Sequence, residues 1–74
     1  MEKLLELLKE INANIDFTAQ TAIVDDEIID SLDLTGLIAD IEDTFDVSIG
    51  MNDIIPENFN TVEAMWNMIR RLQH

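Results

Sequence analysis

Apolar residues recur at helical spacing in three separate segments of this chain, and that periodicity constrains the fold more than any other feature. In residues 2–13, Leu and Ile recur at i, i+3, i+4 and i+7, with charged residues on the other side. The same spacing returns from about Ser31 to Thr44 and again after Asn60. A chain of 74 residues makes one domain with one modest core. The pattern therefore predicts a single all-α domain over residues 1–74.

A fourth, short helix is expected between the second and third long ones. Asn52 can cap a single turn, and Pro56 then biases Ile55 towards an extended conformation and closes that turn. The last long helix opens with a capping-box pattern, with Asn60 as N-cap and Glu63 at the third position. The expected architecture is a small four-helix bundle with three longer helices and one short helix.

The periodicity also predicts which side chains form the core. The inward stripe of the second helix is Leu34, Leu37, Ile38, Ile41 and Phe45, and that of the last helix is Val62, Met65, Ile69 and Leu72. Trp66 and Met68 flank the last stripe and are expected at the edge of the core. Residues 15–29 lack a sustained period and are expected to form a long loop that leads directly to Ser31. Its predicted anchors are Ile15, Phe17, Ile23, Ile28 and Ile29.

Charge narrows the classes of partner. Sixteen acidic and four basic residues give a net charge of −12, and no Lys or Arg lies between Glu10 and Ile69. Nucleic-acid binding is excluded because it needs clustered cations, and an anionic membrane would repel the chain. Positively charged protein surfaces would attract it. An apolar share of 47% argues against disorder, so the composition indicates a folded acidic docking module.

Cysteine usage and apolar run lengths bear on location. The chain has no Cys, so disulfides and thiolate metal sites are excluded, which is compatible with the cytosol. Its first residues lack the pattern of a signal peptide, and no apolar run has the length of a membrane span. We expect a cytoplasmic monomer that does not insert into membranes.

The most suggestive local sequence is Asp30-Ser31-Leu32, which opens the second helix. Asp30 is a good N-cap, since its carboxylate can accept from N–H groups two and three residues on. Asp33 adds a capping-box-like partner, and both charges favour the helix N-terminus. Ser31 then lies on the first turn, where a phosphate ester on its hydroxyl would meet the positive end of the helix dipole. The simpler alternative is an ordinary helix start.

Catalytic residues are scarce. His74 is the single His and the last residue, and it is more typical of a frayed or added end than of a general base. The carboxylate pairs Asp25-Asp26 and Glu42-Asp43 are expected to be solvated surface. We therefore expect a protein that is not an enzyme.

A calcium-binding loop is the competing motif. Residues 31–42 partly fit an EF-hand, with Gly36 at position six and Glu42 at position twelve. Ser31, however, occupies the first position, where Asp is nearly obligatory, and the apolar spacing favours one uninterrupted helix. No metal site is expected.

Further motifs follow Asp30-Ser31-Leu32-Asp33 along the chain: Leu37-Ile38, Ile41-Glu42, Phe45-Asp46-Val47-Ser48-Ile49, and the Thr61-Val62 opening of the last helix. With these residues, the chain resembles the acyl carrier protein family across essentially its whole length. The resemblance implies a four-helix carrier in which a phosphopantetheinyl transferase attaches 4'-phosphopantetheine from coenzyme A to Ser31. The thiol of that group would carry an acyl or aminoacyl thioester.

The resemblance also implies a docking face for partner enzymes with basic patches. Asp30 would assist recognition by the transferase, and the face would comprise Asp30, Leu32, Asp33, Thr35, Ala39, Glu42 and Asp43. Expected partners are the transferase, a loading ligase, and downstream transferases or synthases.

Departures from the family pattern leave the cargo open. Fatty-acid carriers usually have Gly where this chain has Ile28, an acidic residue is common at Gly36, and a larger apolar one at Ala39. The first interpretation is an acyl carrier of fatty-acid, polyketide or related biosynthesis. The apolar-apolar-Asp-Ser entry also resembles D-alanyl and other aminoacyl carriers, which an adenylating ligase loads. A third possibility is an unmodified acidic interaction module.

Overall fold

Four α-helices account for most of residues 1–73, the part of the chain that the computed structural model describes. The helices are α1 (Glu2–Ile11), α2 (Ser31–Phe45), α3 (Pro56–Phe59) and α4 (Val62–Leu72). Two 3₁₀ turns, Phe17–Ala19 and Met51–Asp53, lie in the connections. No strand occurs within residues 1–73. The predicted all-α fold with three longer helices and one short helix is confirmed.

The helices share one apolar core. Helix α1 packs on α2 and α4, and α3 packs on α4. The buried side chains on the long helices are Leu4, Leu8, Leu37, Ile41, Val62, Met65, Met68 and Ile69. The remaining predicted stripe residues, Leu34, Ile38, Phe45 and Leu72, are partly buried around this cluster. No helix within residues 1–73 is long and apolar enough to cross a membrane.

The last helix differs from its prediction at Met68. This side chain is fully buried in the core, because it lies three and four positions from Met65 and Leu72 on the same face of α4. Trp66 does lie at the edge, where its ring meets that of Phe45 edge-on at a centroid distance of 5.8 Å. This aromatic pair joins α4 to the C-terminal end of α2.

The predicted loop is anchored as expected but contains a missed element. Phe17, Ile23 and Ile29 are buried, and the other two predicted anchors, Ile15 and Ile28, are half-buried. The 3₁₀ turn at Phe17–Ala19 begins where Asp16 accepts a hydrogen bond from the Thr18 N–H. Helix α1 ends at Ile11 instead of reaching residue 13, because Asn12 is already extended.

The prediction that Pro56 closes a short helix was wrong: Pro56 begins α3. Its ring holds φ near the helical value, and the first helical position needs no N–H donor. Ile55 before it is extended, at φ −128° and ψ 151°, as a residue preceding proline prefers. The segment predicted to be helical, 52–55, instead contributes to the separate 3₁₀ turn Met51–Asp53.

The N-cap of α4 was predicted one residue too early. Thr61 is extended and accepts from the Ala64 N–H at 2.9 Å, so Thr61 is the cap. Asn60 has helical angles, φ −72° and ψ −23°, at the end of α3. Its side chain is used elsewhere, as described below.

Replacing Gly36 by Ala should stabilise the protein. A Cβ at Gly36 meets no atom within 4 Å, and glycine in a helix interior costs about 0.5–1 kcal/mol relative to alanine. Urea unfolding of Gly36→Ala should show a gain of about that size. Gly50→Ala is the matched control, since Gly50 is extended and outside a helix, and it should change the free energy of unfolding less. A loss of stability in Gly36→Ala would contradict the expectation.

Candidate functional site

Ser31 is the first residue of α2, and its side chain is exposed. Asp30 before it is extended and is the N-cap, as predicted: its Oδ1 accepts from the Asp33 N–H at 2.7 Å. The Thr35 hydroxyl donates to the carbonyl oxygen of Ser31 at 2.8 Å. The first turn of α2 is thus held by side chains on both sides of the serine, and the hydroxyl faces solvent at the positive end of the helix dipole.

A recess of about 350 Å³ opens beside Ser31. It is lined by Val24, Glu27, Ile29, Asp30, Ser31 and Leu34. The loop supplies one wall and the start of α2 supplies the other. An exposed primary hydroxyl at a helix N-terminus, with open space next to it, fits an arm attached through a phosphodiester.

The loop wall of the recess is a compact turn. The Asp26 N–H donates to the Ala22 carbonyl at 2.8 Å, and the Ile28 N–H donates to the Ile23 carbonyl at 2.9 Å. Glu27 lies in the left-handed region at φ 53°, an uncommon conformation for a residue other than Gly, Asn or Asp. These bonds reverse the chain, so that Ile29 enters the core and Asp30 reaches the helix start.

Asn60 ties this turn to the junction of α3 and α4. Its Oδ1 accepts from the Val24 and Asp25 N–H groups, each at 3.0 Å, and its Nδ2 donates to the Asp25 carboxylate at 3.1 Å. Its carbonyl accepts from the Ile23 N–H at 2.9 Å. Sequence reasoning missed this contact, because the pattern Asn60-x-x-Glu63 is equally that of a helix cap.

The predicted docking residues run along one side of α2. Positions 32, 35, 39, 42 and 43 recur at helical spacing, and Leu32 is 79% exposed, as its place off the inward stripe predicts. Asp30, Asp33, Thr35, Ala39 and Asp43 are exposed too. Their role in docking stays a prediction.

Glu42 has a structural contact that the sequence did not indicate. It is half-buried, and its Oε2 accepts from the Ile49 N–H at 2.9 Å. Its carbonyl accepts from the Val47 N–H just after the left-handed Asp46, at φ 53°, which ends α2. Glu42 therefore holds the exit of α2 as well as belonging to the predicted face.

The calcium-loop alternative does not fit the structure. Residues 31–42 lie wholly within α2, so their carboxylates do not wrap around a common point. Within residues 1–73, no group of three or more Asp, Glu, His or Cys side chains could hold a metal ion. His74, which was expected to be a frayed or added end, lies outside the residues that the structure describes.

Comparison with known proteins decides the family. The family described as "Phosphopantetheine attachment site" matches residues 2–69. The chain belongs to this family of carrier proteins. It is 37% identical over 68 residues to a protein named Aminoacyl carrier protein 1 from Bradyrhizobium diazoefficiens, a match that covers 90% of this chain and 74% of that protein. No solved structure matches the chain.

A second relative is named Probable acyl carrier protein PigG, from Serratia sp. It is 36% identical over 55 residues, which cover 74% of this chain and 63% of that relative. Members of the family hold 4'-phosphopantetheine covalently and are not enzymes, so the predicted family, prosthetic group and lack of catalytic activity are confirmed. Carrier proteins interact with phosphopantetheinyl transferases and with biosynthetic enzymes.

Removing the cap at Asp30 should weaken α2. Asp30→Ala loses the acceptor for the Asp33 N–H and should cost about 1 kcal/mol in the free energy of unfolding. Asp30→Asn keeps an oxygen acceptor and should cost less. Thr61→Ala, which removes the matching cap of α4, serves as a reference. Urea unfolding in which Asp30→Ala and Asp30→Asn are equally stable would contradict a capping role.

Proposed function

We propose that Ser31 is the residue that carries 4'-phosphopantetheine. The observation that carries this proposal is the exposed hydroxyl at the first position of α2, beside an Asp30 N-cap and an open recess, in a chain of the phosphopantetheine-attachment family. The only other serine in the chain, Ser48, lies in the connection after α2, away from a helix start. We also propose that residues 1–74 belong to a single carrier domain.

The attachment step transfers the group from coenzyme A. Ser31 Oγ forms a bond to the β-phosphorus of coenzyme A, and the bond from that phosphorus to the oxygen of adenosine 3',5'-bisphosphate breaks. The hydroxyl proton passes to a base of the transferase. The attached group supplies a flexible arm ending in a thiol, which holds cargo as a thioester.

An aminoacyl group is the proposed cargo, loaded by an adenylating ligase. Support comes from the relative named Aminoacyl carrier protein 1, which aligns with 90% of this chain. An acyl intermediate of fatty-acid, polyketide or related biosynthesis is the second candidate, supported by the relative named as an acyl carrier. To distinguish the two, the protein is isolated from the cells that produce it naturally and treated with hydroxylamine, which cleaves thioesters. The mass of the released hydroxamate then identifies the cargo as aminoacyl or acyl.

Incubation with coenzyme A and a broad-specificity phosphopantetheinyl transferase should add the mass of one phosphopantetheine. Ser31→Ala should take up none, since it lacks the oxygen that attacks phosphorus. Ser48→Ala is the matched control and should be modified like the wild type. Intact-mass measurement reports all three. A gain that survives Ser31→Ala, or no gain in the wild type, would overturn the proposal.

The acidic side of α2 should contribute to recognition by the transferase. Asp43→Asn removes one exposed carboxylate from the predicted face and should raise the KM for this protein about two- to five-fold at low salt, the range for an exposed charge pair. The matched variant Glu10→Gln, on α1, should leave KM unchanged. Added salt should reduce the difference. Equal KM values for the two variants would argue against this face.

A further inference from the structure

The side chain of Asn60 makes three hydrogen bonds to residues 35 and 36 positions earlier in the chain. Together with the bond from the Ile23 N–H to its carbonyl, they join the α3–α4 junction to the turn that leads to Ser31. The two N–H groups that donate hydrogen bonds to Asn60 Oδ1, those of Val24 and Asp25, belong to this turn. Asn60 therefore holds the backbone of the turn directly.

The anchored turn continues without interruption to the serine. The Ile28 N–H closes the turn onto the Ile23 carbonyl, Ile29 then enters the core, and Asp30 caps α2. Val24 and Glu27, on this turn, form the wall of the recess that faces Ser31. A shift of the turn would move that wall and the extended Asp30 on which the first turn of α2 depends.

Apolar contacts alone do not orient the turn. Ile23 and Ile29 bury their side chains at its two ends and Val24 and Ile28 are partly buried against the core, but the three residues in the middle, Asp25, Asp26 and Glu27, are exposed. Burial of a side chain is not directional, whereas hydrogen bonds of 2.9–3.1 Å set both distance and angle. The backbone hydrogen bonds within the turn fix its shape, and the bonds to Asn60 set its orientation relative to the α3–α4 junction.

We propose that Asn60 is a positioning residue for phosphopantetheine attachment: it holds the turn from Ile23 to Ile28 so that Ser31 and its recess keep the geometry the transferase engages. This inference rests on the proposed function of Ser31. Asn60 acts through the turn and does not touch the reacting atoms. Its loss should therefore lower kcat of the transferase reaction and leave KM for this protein unchanged.

Asn60→Ala removes all three side-chain hydrogen bonds and should lower kcat about ten-fold, within the range that misplacement of a reacting group produces. Hydrogen exchange of the Val24 and Asp25 amides in the unmodified protein should become faster, and the amide signal of Ser31 should shift. Asn58→Ala is the matched control, because the Asn58 side chain bonds instead to the Asp53 carbonyl and to Arg71. It should leave kcat and these amides unchanged.

Exchanging the amide of Asn60 with the carboxylate of Asp25 gives a double variant that keeps the hydrogen bond between these two side chains. Asn60→Asp retains an oxygen for the two N–H groups but turns a second carboxylate towards that of Asp25, and it should also slow attachment. Asp25→Asn alone keeps an acceptor for Asn60 Nδ2 and should have little effect. Combining the two restores a donor and an acceptor, so the double variant should recover the wild-type kcat. A role in general stability alone would not produce this recovery at temperatures where every variant is folded.

The outcomes separate this inference from the proposed function. A wild-type protein that gains no mass on Ser31 overturns the function of Ser31 and this role with it. A wild type that is modified, together with Asn60→Ala of unchanged kcat, overturns the role of Asn60 alone. It is likewise overturned if the double variant stays as slow as Asn60→Asp, or if Asn58→Ala is equally slow.

Discussion

Burial of one apolar cluster is the interaction on which this protein depends. The chain carries a net charge of −12, so mutual repulsion of its carboxylates opposes compaction. This repulsion is offset by the burial of thirteen hydrophobic side chains within residues 1–73, each of which contributes about 1.5–3 kcal/mol to stability when fully removed from water. Within residues 1–73 no polar or charged side chain is buried. Because the core takes no carboxylate, the surface keeps the full negative field that would steer basic partners.

A small number of polar contacts then fix the two ends of α2 and the turn that leads to it. The Asp30 cap determines where α2 begins. Glu42 accepts a hydrogen bond from the segment that follows α2, and Asn60 accepts hydrogen bonds from the turn that precedes it. The core brings the helices together and anchors the connections at a few buried side chains, but it does not orient the exposed residues between those anchors. The end of α2 that presents Ser31 is therefore defined by carboxylate and amide side chains that reach backbone N–H groups.

Features that depend on neighbouring residues in the sequence could be predicted, whereas features that depend on contacts between distant residues could not. The three long helices follow from apolar spacing, and the Asp30 cap follows from the residues around it, so both were predictable. Pro56 can close one helix or open the next, and its neighbours do not decide between the two. Asn60 and Thr61 can both cap a helix. The choice between them follows from N–H groups 35 and 36 residues away, which no local pattern contains; the recess beside Ser31 was missed for the same reason.

The contact between Asn60 and the turn has a consequence for the order of folding. Joining segments so far apart requires closing a long loop, whose entropy must be offset before the contact can stabilise anything. A growing chain that has emerged only as far as Phe59 already contains α1, α2 and Ser31, yet it lacks the residue that fastens the turn and the whole of α4. The turn that leads to Ser31 thus reaches its final arrangement only when Asn60 and the last helix are present, so the surroundings of this serine depend on the whole fold.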